Sequence, residues 1–361
     1  MPLKLTYHSH TLRFKFKAGT SRGTLTEKDS WIIKLWDTSI PEVYGLGECG
    51  PLKGLSPDFD VDIERELIRI AGDLKGLAIS DIKNKDWSNQ VSKDFPSIIF
   101  GLETASLDLI NGGTRQIFDN AFSRGTASIP INGLIWMGDK QFMLDQIEQK
   151  LDAGFGCLKL KIGAINFNQE LSVLKSIRQS YAEKDLILRV DANGAFSPSE
   201  AIVKLNSLSE FGIHSIEQPI AAGQAEQMAW LCENSPISIA LDEELIGVNS
   251  KADKVKLLKT IQPQFIILKP TLIGGMYSTQ EWIEIATDLK IGWWMTSALE
   301  SNIGLNAIAQ LTANYQTDMY QGLGTGQLYH NNFESPLTIT NGYIHYHPDK
   351  GWELKDFDAL S

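Results

Sequence analysis

A relay of charged residues at near-constant spacing constrains this chain more than any other feature. Lys159 and Lys161 are followed by Asp191, Glu217, Asp242 and Lys269, with gaps of 30, 26, 25 and 27 residues from Lys161 onward. Each gap matches the length of one strand-loop-helix unit, the connection that parallel strands require. Each charge also lies in or just after a short apolar run, as in Cys157-Leu-Lys-Leu-Lys161, Leu186-Ile-Leu-Arg-Val-Asp191 and Phe265-Ile-Ile-Leu-Lys269. In a β/α barrel consecutive parallel strands end on the same face, so charges at the ends of five of them converge on one mouth, where such folds carry their chemistry.

The 361 residues exceed the roughly 250 typical of a β/α barrel, which leaves about a hundred for a second domain. Thirty-three Lys and Arg against 44 Asp and Glu give a net charge of −11 without any basic block. That balance argues against nucleic-acid binding and against an anionic membrane surface. No run approaches the roughly 18 apolar residues of a membrane span, and the alternating N-terminus lacks the apolar core of a signal peptide. Cys49, Cys157 and Cys232 are odd in number and far apart, which suits neither a disulfide framework nor a zinc site. A cytoplasmic location is therefore expected.

Residues 1–125 open with period-two segments, around Thr11 to Lys17 and Ser30 to Trp36, that predict a small antiparallel sheet in a capping domain. Two Gly-rich loops interrupt it, one around Gly19 to Gly23 and one around Gly45 to Pro57. From residue 126 to 326 strands alternate with helices. Ser197-Pro-Ser-Glu200 is a capping box with proline at the first helical position. A first strand over Ile129 to Trp136 and an eighth near Tyr320 to Gly326 complete a modified (β/α) barrel in an α/β chain, and residues 327–361 form a C-terminal segment returning to the cap.

Residues two apart on a strand face the same side, so Lys159 and Lys161 both point inward, as do Arg189, Asp191 and Asn193. Burying carboxylates costs free energy unless something positive neutralises them. Asp191, Glu217 and Asp242, from three adjacent strands, are most simply explained by a hard divalent cation, Mg²⁺ with Mn²⁺ as a substitute. A metal-free network with the lysines is the alternative. Lys159 raises the local potential, which lowers the pKa of Lys161 and leaves part of it neutral, a competent general base for a carbon acid. Three lysines cancel three carboxylates, so the metal leaves about two positive charges to meet a small dianionic carboxylate.

Lys159-Leu-Lys161, Asp191-Ala-Asn193, Glu217-Gln-Pro219, Asp242-Glu243 and Lys269-Pro270 together resemble the signature of the enolase superfamily, in its muconate-cycloisomerase-like subgroup. Within the subgroup, the resemblance implies syn elimination of water from a succinyl-hydroxycyclohexadiene carboxylate, giving an aromatic product used in menaquinone synthesis. Lys161 would then take the proton α to the carboxylate and return it to the leaving hydroxyl, while Lys269 stabilises the enediolate. Thr20, Ser21, Arg189, Asn193, Ser297 and Gly322 fall in segments that resemble substrate-binding parts of such enzymes. Racemisation of N-succinylamino acids, or another epimerase or cycloisomerase reaction, uses the same two lysines and stays open. Readings from other classes are a Schiff-base lyase, which leaves the carboxylates unexplained, and a non-catalytic barrel, which needs neither lysine.

Overall fold

The structure is a computed structural model that describes residues 2–20, 23–83, 85–163, 165–354 and 357, with only the backbone of Thr20. The chain begins with an antiparallel sheet in the order β1 (Leu3–Thr20), β2 (Gly23–Asp37) and β3 (Tyr44–Cys49). Helices α1 (Ile63–Asp73), α2 (Ile79–Ile82) and α3 (Pro96–Ile110) pack on it. Leu5, Ile33 and Leu35 on the sheet meet Leu67, Leu102 and Leu109 on α1 and α3 to form this unit's own core. Its α3 is buried almost all round because one side covers the sheet and the other touches the barrel. Gly45 and Gly47 permit the close approach: a Cβ on either would lie within 2 Å of a carbonyl oxygen of α3.

The second unit starts with β4 (Ile129–Pro130) and β5 (Gly133–Ile135) and continues through α4 (Lys140–Asp152), β6 (Cys157–Lys161), α5 (Phe167–Ser180) and β7 (Ile187–Asp191). It goes on through α6 (Pro198–Ser209), β8 (Ile213–Glu217), α7 (Ala225–Asn234), β9 (Ser238–Leu241) and α8 (Lys251–Ile261). Then come β10 (Phe265–Leu268), α9 (Gly275–Asp288), β11 (Gly292–Met295) and α10 (Asn302–Thr312). Strands β5 to β11 form one curled parallel sheet of seven in sequence order, as short runs rich in Ile and Leu with buried faces do. Their outward side chains meet the helices in a continuous core that includes Leu158, Leu188, Ile216, Ile239 and Ile266. The predicted capping box forms at Ser197 and Glu200, with Pro198 opening α6.

Two strand expectations are corrected. The first strand divides, because β4 turns away to pair with β13 (Tyr343–Tyr346), itself the partner of β12 (Leu337–Thr340). The eighth is no regular strand: Gln321 and Gly322 only bridge Ile131 on one side and Thr296 on the other. Glycine is a poor strand former, and Gly322 is required because a Cβ there would stand 2.4 Å from the Thr296 hydroxyl. These bridges still close the sheet, with Gln321 accepting from the Asn132 amide at 2.9 Å and Gly322 from the Ser297 amide at 3.0 Å.

Carboxylates from the first unit complete helices of the second. Glu103 on α3 accepts from the Met276 amide at the start of α9, and Glu48 on β3 accepts from the Ser301 and Gly304 amides at the start of α10, both at 3.0 Å. Each occupies a helix N-terminus, where amides lack intrahelical partners. Near the C-terminus, Leu354 and Phe357 pack with Ile32 and Leu46 of the first sheet. Among the described residues no helix is long and apolar enough to cross a membrane.

Candidate active site

The strand register brings the relay together. Lys161 lies opposite Asp191 across β6 and β7, and Asp191 opposite Glu217 across β7 and β8. Inward positions two residues earlier carry Arg189, Ser215, Ala240 and Ile267, so the charges sit on a filled layer in which Ala240, Ile267 and Trp294 pack together. Lys161 Nζ stands 2.9 Å from Asp191 Oδ2, and Lys159 Nζ stands 3.0 Å from the same oxygen. Lys159 also pairs with Glu217 Oε2. Lys269 Nζ is 2.5 Å from Asp242 Oδ2 and 3.8 Å from Glu217 Oε1. All six groups are buried.

This burial separates the lysines. It pushes Lys161 below the ordinary lysine range, helped by Lys159 and Lys269 and opposed by Asp191. The lowering expected from Lys159 is thus present, but desolvation is the larger cause. Burial acts the same way on Lys159 and Lys269, yet their carboxylate partners outweigh it and hold both above the ordinary range. Burial and the charge of Asp191 push Glu217 up to about 7. Burial also raises Asp242, whereas for Asp191 the three surrounding lysines overcome burial and hold the carboxyl well below its usual range.

Three carboxylates from adjacent strands are hard oxygen donors of the kind a divalent ion takes. Glu217 meets ammonium groups at both oxygens, Lys159 at Oε2 and Lys269 at Oε1. Among the described residues no three such ligands are poised to hold an ion as they stand, because the lysine ammoniums fill the space between the carboxylates. The donor set fits a hard cation, provided the flexible lysine stems turn aside.

Above the lysines opens a cavity of about 670 Å³. Lys159, Lys161 and Lys269 line it, as do Lys53, Asp145 and Lys150; Leu25 on β2 and Leu52 after β3 reach it from the cap, and Trp136 and Leu299 add apolar surface. Of the expected substrate contacts, Gly322 and Ser297 line it. The Ser297 hydroxyl is fully engaged: it donates to Glu300 and accepts from the Leu299 amide and the Thr325 hydroxyl. Arg189, opposite Lys159 in the strand register, donates to the Tyr320 carbonyl at 2.7 Å and stacks 4.0 Å from the Trp294 ring centroid. Asn193 accepts from Lys161 at 2.8 Å and donates to Glu243 at 3.1 Å, which orients the lysine. Ser21 and the side chain of Thr20 lie outside the described residues. Asn132, between β4 and β5, was not among the expected contacts; it is a buried wall residue whose Oδ1 has no hydrogen-bond partner among the described residues.

A model of the enolase C-terminal domain-like family matches residues 143–354. The chain is 47% identical over 366 residues to an o-succinylbenzoate synthase from Desulfotalea psychrophila, covering 95% of this chain and 98% of that one. The crystal structure of MenC from the same organism superposes with a TM-score of 0.86 at 45% identity, covering 96% of this chain and all of that one. An N-succinylamino acid racemase from an Amycolatopsis species is 23% identical, covering 90% of this chain and 87% of that one.

Proposed function

The chain belongs to the enolase superfamily, and we propose that it is an o-succinylbenzoate synthase, a hydro-lyase of menaquinone biosynthesis. Its reaction is the syn dehydration of 2-succinyl-6-hydroxy-2,4-cyclohexadiene-1-carboxylate to 2-succinylbenzoate. The 47% identity over nearly the whole of both chains carries this reading. The convergence of Lys161 and Lys269 on one buried carboxylate cluster supports it.

Lys161, whose pKa burial lowers, is the base that removes the proton α to the substrate carboxylate. Asn193 accepts a hydrogen bond from its Nζ and fixes its direction. The C–H electron pair passes into the carboxylate as an enediolate and then forms the ring double bond as the C–O bond breaks, and Lys161, now an ammonium, gives its proton to the departing hydroxyl, which leaves as water. Lys269 stays charged, held so by Asp242, and faces the negative charge that develops on the carboxylate. Lys159 neutralises Asp191 and Glu217. Asp191, Glu217 and Asp242 would hold a divalent cation, Mg²⁺ or Mn²⁺, which would supply further positive charge at the substrate carboxylate. Leu25 and Leu52 bring apolar cover from the cap, which excludes water. A cytoplasmic setting belongs to this reading and is supported by three buried free thiols.

Racemisation of N-succinylamino acids is the second reading, favoured by the similarity to the Amycolatopsis racemase and by lysines on both sides of the cluster. Steady-state assay of the purified protein with the cyclohexadiene and with N-succinylamino acids, with Mg²⁺ and with chelator, tests both. Absence of metal-dependent aromatisation would refute the synthase.

A further inference from the structure

The buried carboxylate of Glu300 takes no part in the chemistry above. It is fully buried, with no cation at ion-pair distance among the described residues. Its partners are two hydroxyls: Thr271 donates to Oε1 and Ser297 to Oε2, both at 2.5 Å. A buried carboxylate satisfied only by hydroxyls carries a desolvation cost that an apolar side chain would avoid. Its neighbours give the reason.

Thr271 is the second residue after Lys269, in the turn closed by the Leu272 amide donating to the Lys269 carbonyl at 2.8 Å. Ser297 follows β11, and the Thr325 hydroxyl, beyond the eighth strand position, donates to it at 2.7 Å. One side chain thereby ties together the loops that follow three successive barrel strands. Leu299 is held in the same arrangement, with its amide donating to Ser297 Oγ at 3.1 Å and its carbonyl accepting from Tyr329 at 2.7 Å. Its φ of 67° lies in a region that residues with a Cβ rarely adopt. That conformation turns the Leu299 side chain into a cluster with Phe14 and Leu52 of the cap and Trp136 of the barrel, over the cavity. Gly304 makes room, since a Cβ there would lie 2.8 Å from Glu300 and 2.9 Å from Glu48.

We propose that Glu300 is a positioning residue that locks the loops after the sixth, seventh and eighth barrel strand positions into one rim, and so sets where Lys269 and Leu299 stand over the cavity. The proposal rests on the enolase-type reading of Lys269. The hydrogen-bond accounting makes it specific. Ser297 has both lone pairs occupied and must donate to residue 300, whereas Thr271 is free to reverse and accept. An amide at residue 300 can therefore keep the rim, and a methyl cannot.

The test compares Glu300→Gln, Glu300→Ala and Thr271→Val in the full chain with Mg²⁺, using whichever of the two reactions the wild type performs. Thermal unfolding of each variant corrects for the folded fraction. Glu300→Gln is expected to keep kcat within about fivefold of wild type, whereas Glu300→Ala and Thr271→Val each lose at least about tenfold in kcat per folded molecule, with a smaller change in KM. Crystal structures supply the second readout, with Leu299 leaving positive φ in Glu300→Ala. If Glu300→Ala does not fold, Thr271→Val carries the test alone. Wild-type kcat per folded molecule in Glu300→Ala or Thr271→Val would overturn the proposal, as would equal losses in Glu300→Gln and Glu300→Ala. A wild type inactive in both reactions refutes the proposed function, and the φ of Leu299 still decides on the rim.

Discussion

Lys161 and Lys269 meet one carboxylate cluster from strands four apart, yet are shifted in opposite directions: burial pushes the first below the ordinary lysine range, and Asp242 holds the second above it. The asymmetry follows from their contacts. Lys161 shares Asp191 with Lys159, whereas among the described residues Asp242 forms an ion pair with Lys269 alone, at 2.5 Å. Two chemically identical side chains are thus fitted to different tasks, one as a base and one as a fixed charge.

Lys161→Ala is expected to lower dehydration by about 10²–10⁴-fold or more, the contribution typical of a general acid or base. It should also stop solvent deuterium exchange at the substrate α-carbon, as followed by NMR. Lys269→Ala should be comparably slow in turnover. Near-normal dehydration by either variant would remove its assigned role.

Chelation should abolish turnover, and Mg²⁺ or Mn²⁺ should restore it. Asp191→Asn, Glu217→Gln and Asp242→Asn should each weaken metal binding in calorimetric titration while circular dichroism stays unchanged. Full activity in a verified metal-free preparation would sink the metal assignment.

The cyclohexadiene should be preferred over N-succinylamino acids by kcat/KM. Dehydration with syn geometry needs one base on one face, and a charged Lys269 meets that need, whereas racemisation requires proton exchange on both faces. A higher kcat/KM for the amino acids would favour the racemase reading and leave the fold and both lysines in place.

Glu103 gives a stability prediction independent of activity. Burial pushes its carboxyl from 4.5 up to about 8, against the opposing effect of the Met276 and Tyr277 amides. The folded state therefore holds this proton more tightly than the unfolded chain. The resulting stabilisation is fully present below pH 4.5 and is lost as pH rises through about 8. Relative to wild type, Glu103→Gln should gain Tm above pH 8 compared with its value below pH 4.5. An equal difference in the two ranges, by calorimetry, would contradict this.

Most of the barrel and its charged mouth were legible in the sequence because apolar strand runs and polar ends follow a fixed period. The six charges of the relay are set by strand parity and register, which spacing encodes. The engagement of Ser297 by Glu300, and the capping of α10 by Glu48, join residues far apart in sequence or loops of irregular geometry, where no period operates. The eighth strand was overestimated because a Gly-rich segment can close a sheet through isolated bridges without becoming a strand.

Glu48 and Glu103 also bear on recombination among relatives. Because α10 and α9 each begin on a carboxylate from the first 125 residues, a barrel transplanted beneath a foreign cap would bury helix-start amides without acceptors unless the new cap presented acidic groups at the same two points. The two parts are therefore not interchangeable modules, and shuffling between homologues should succeed only when the junction carries both glutamates along with the barrel loops that receive them.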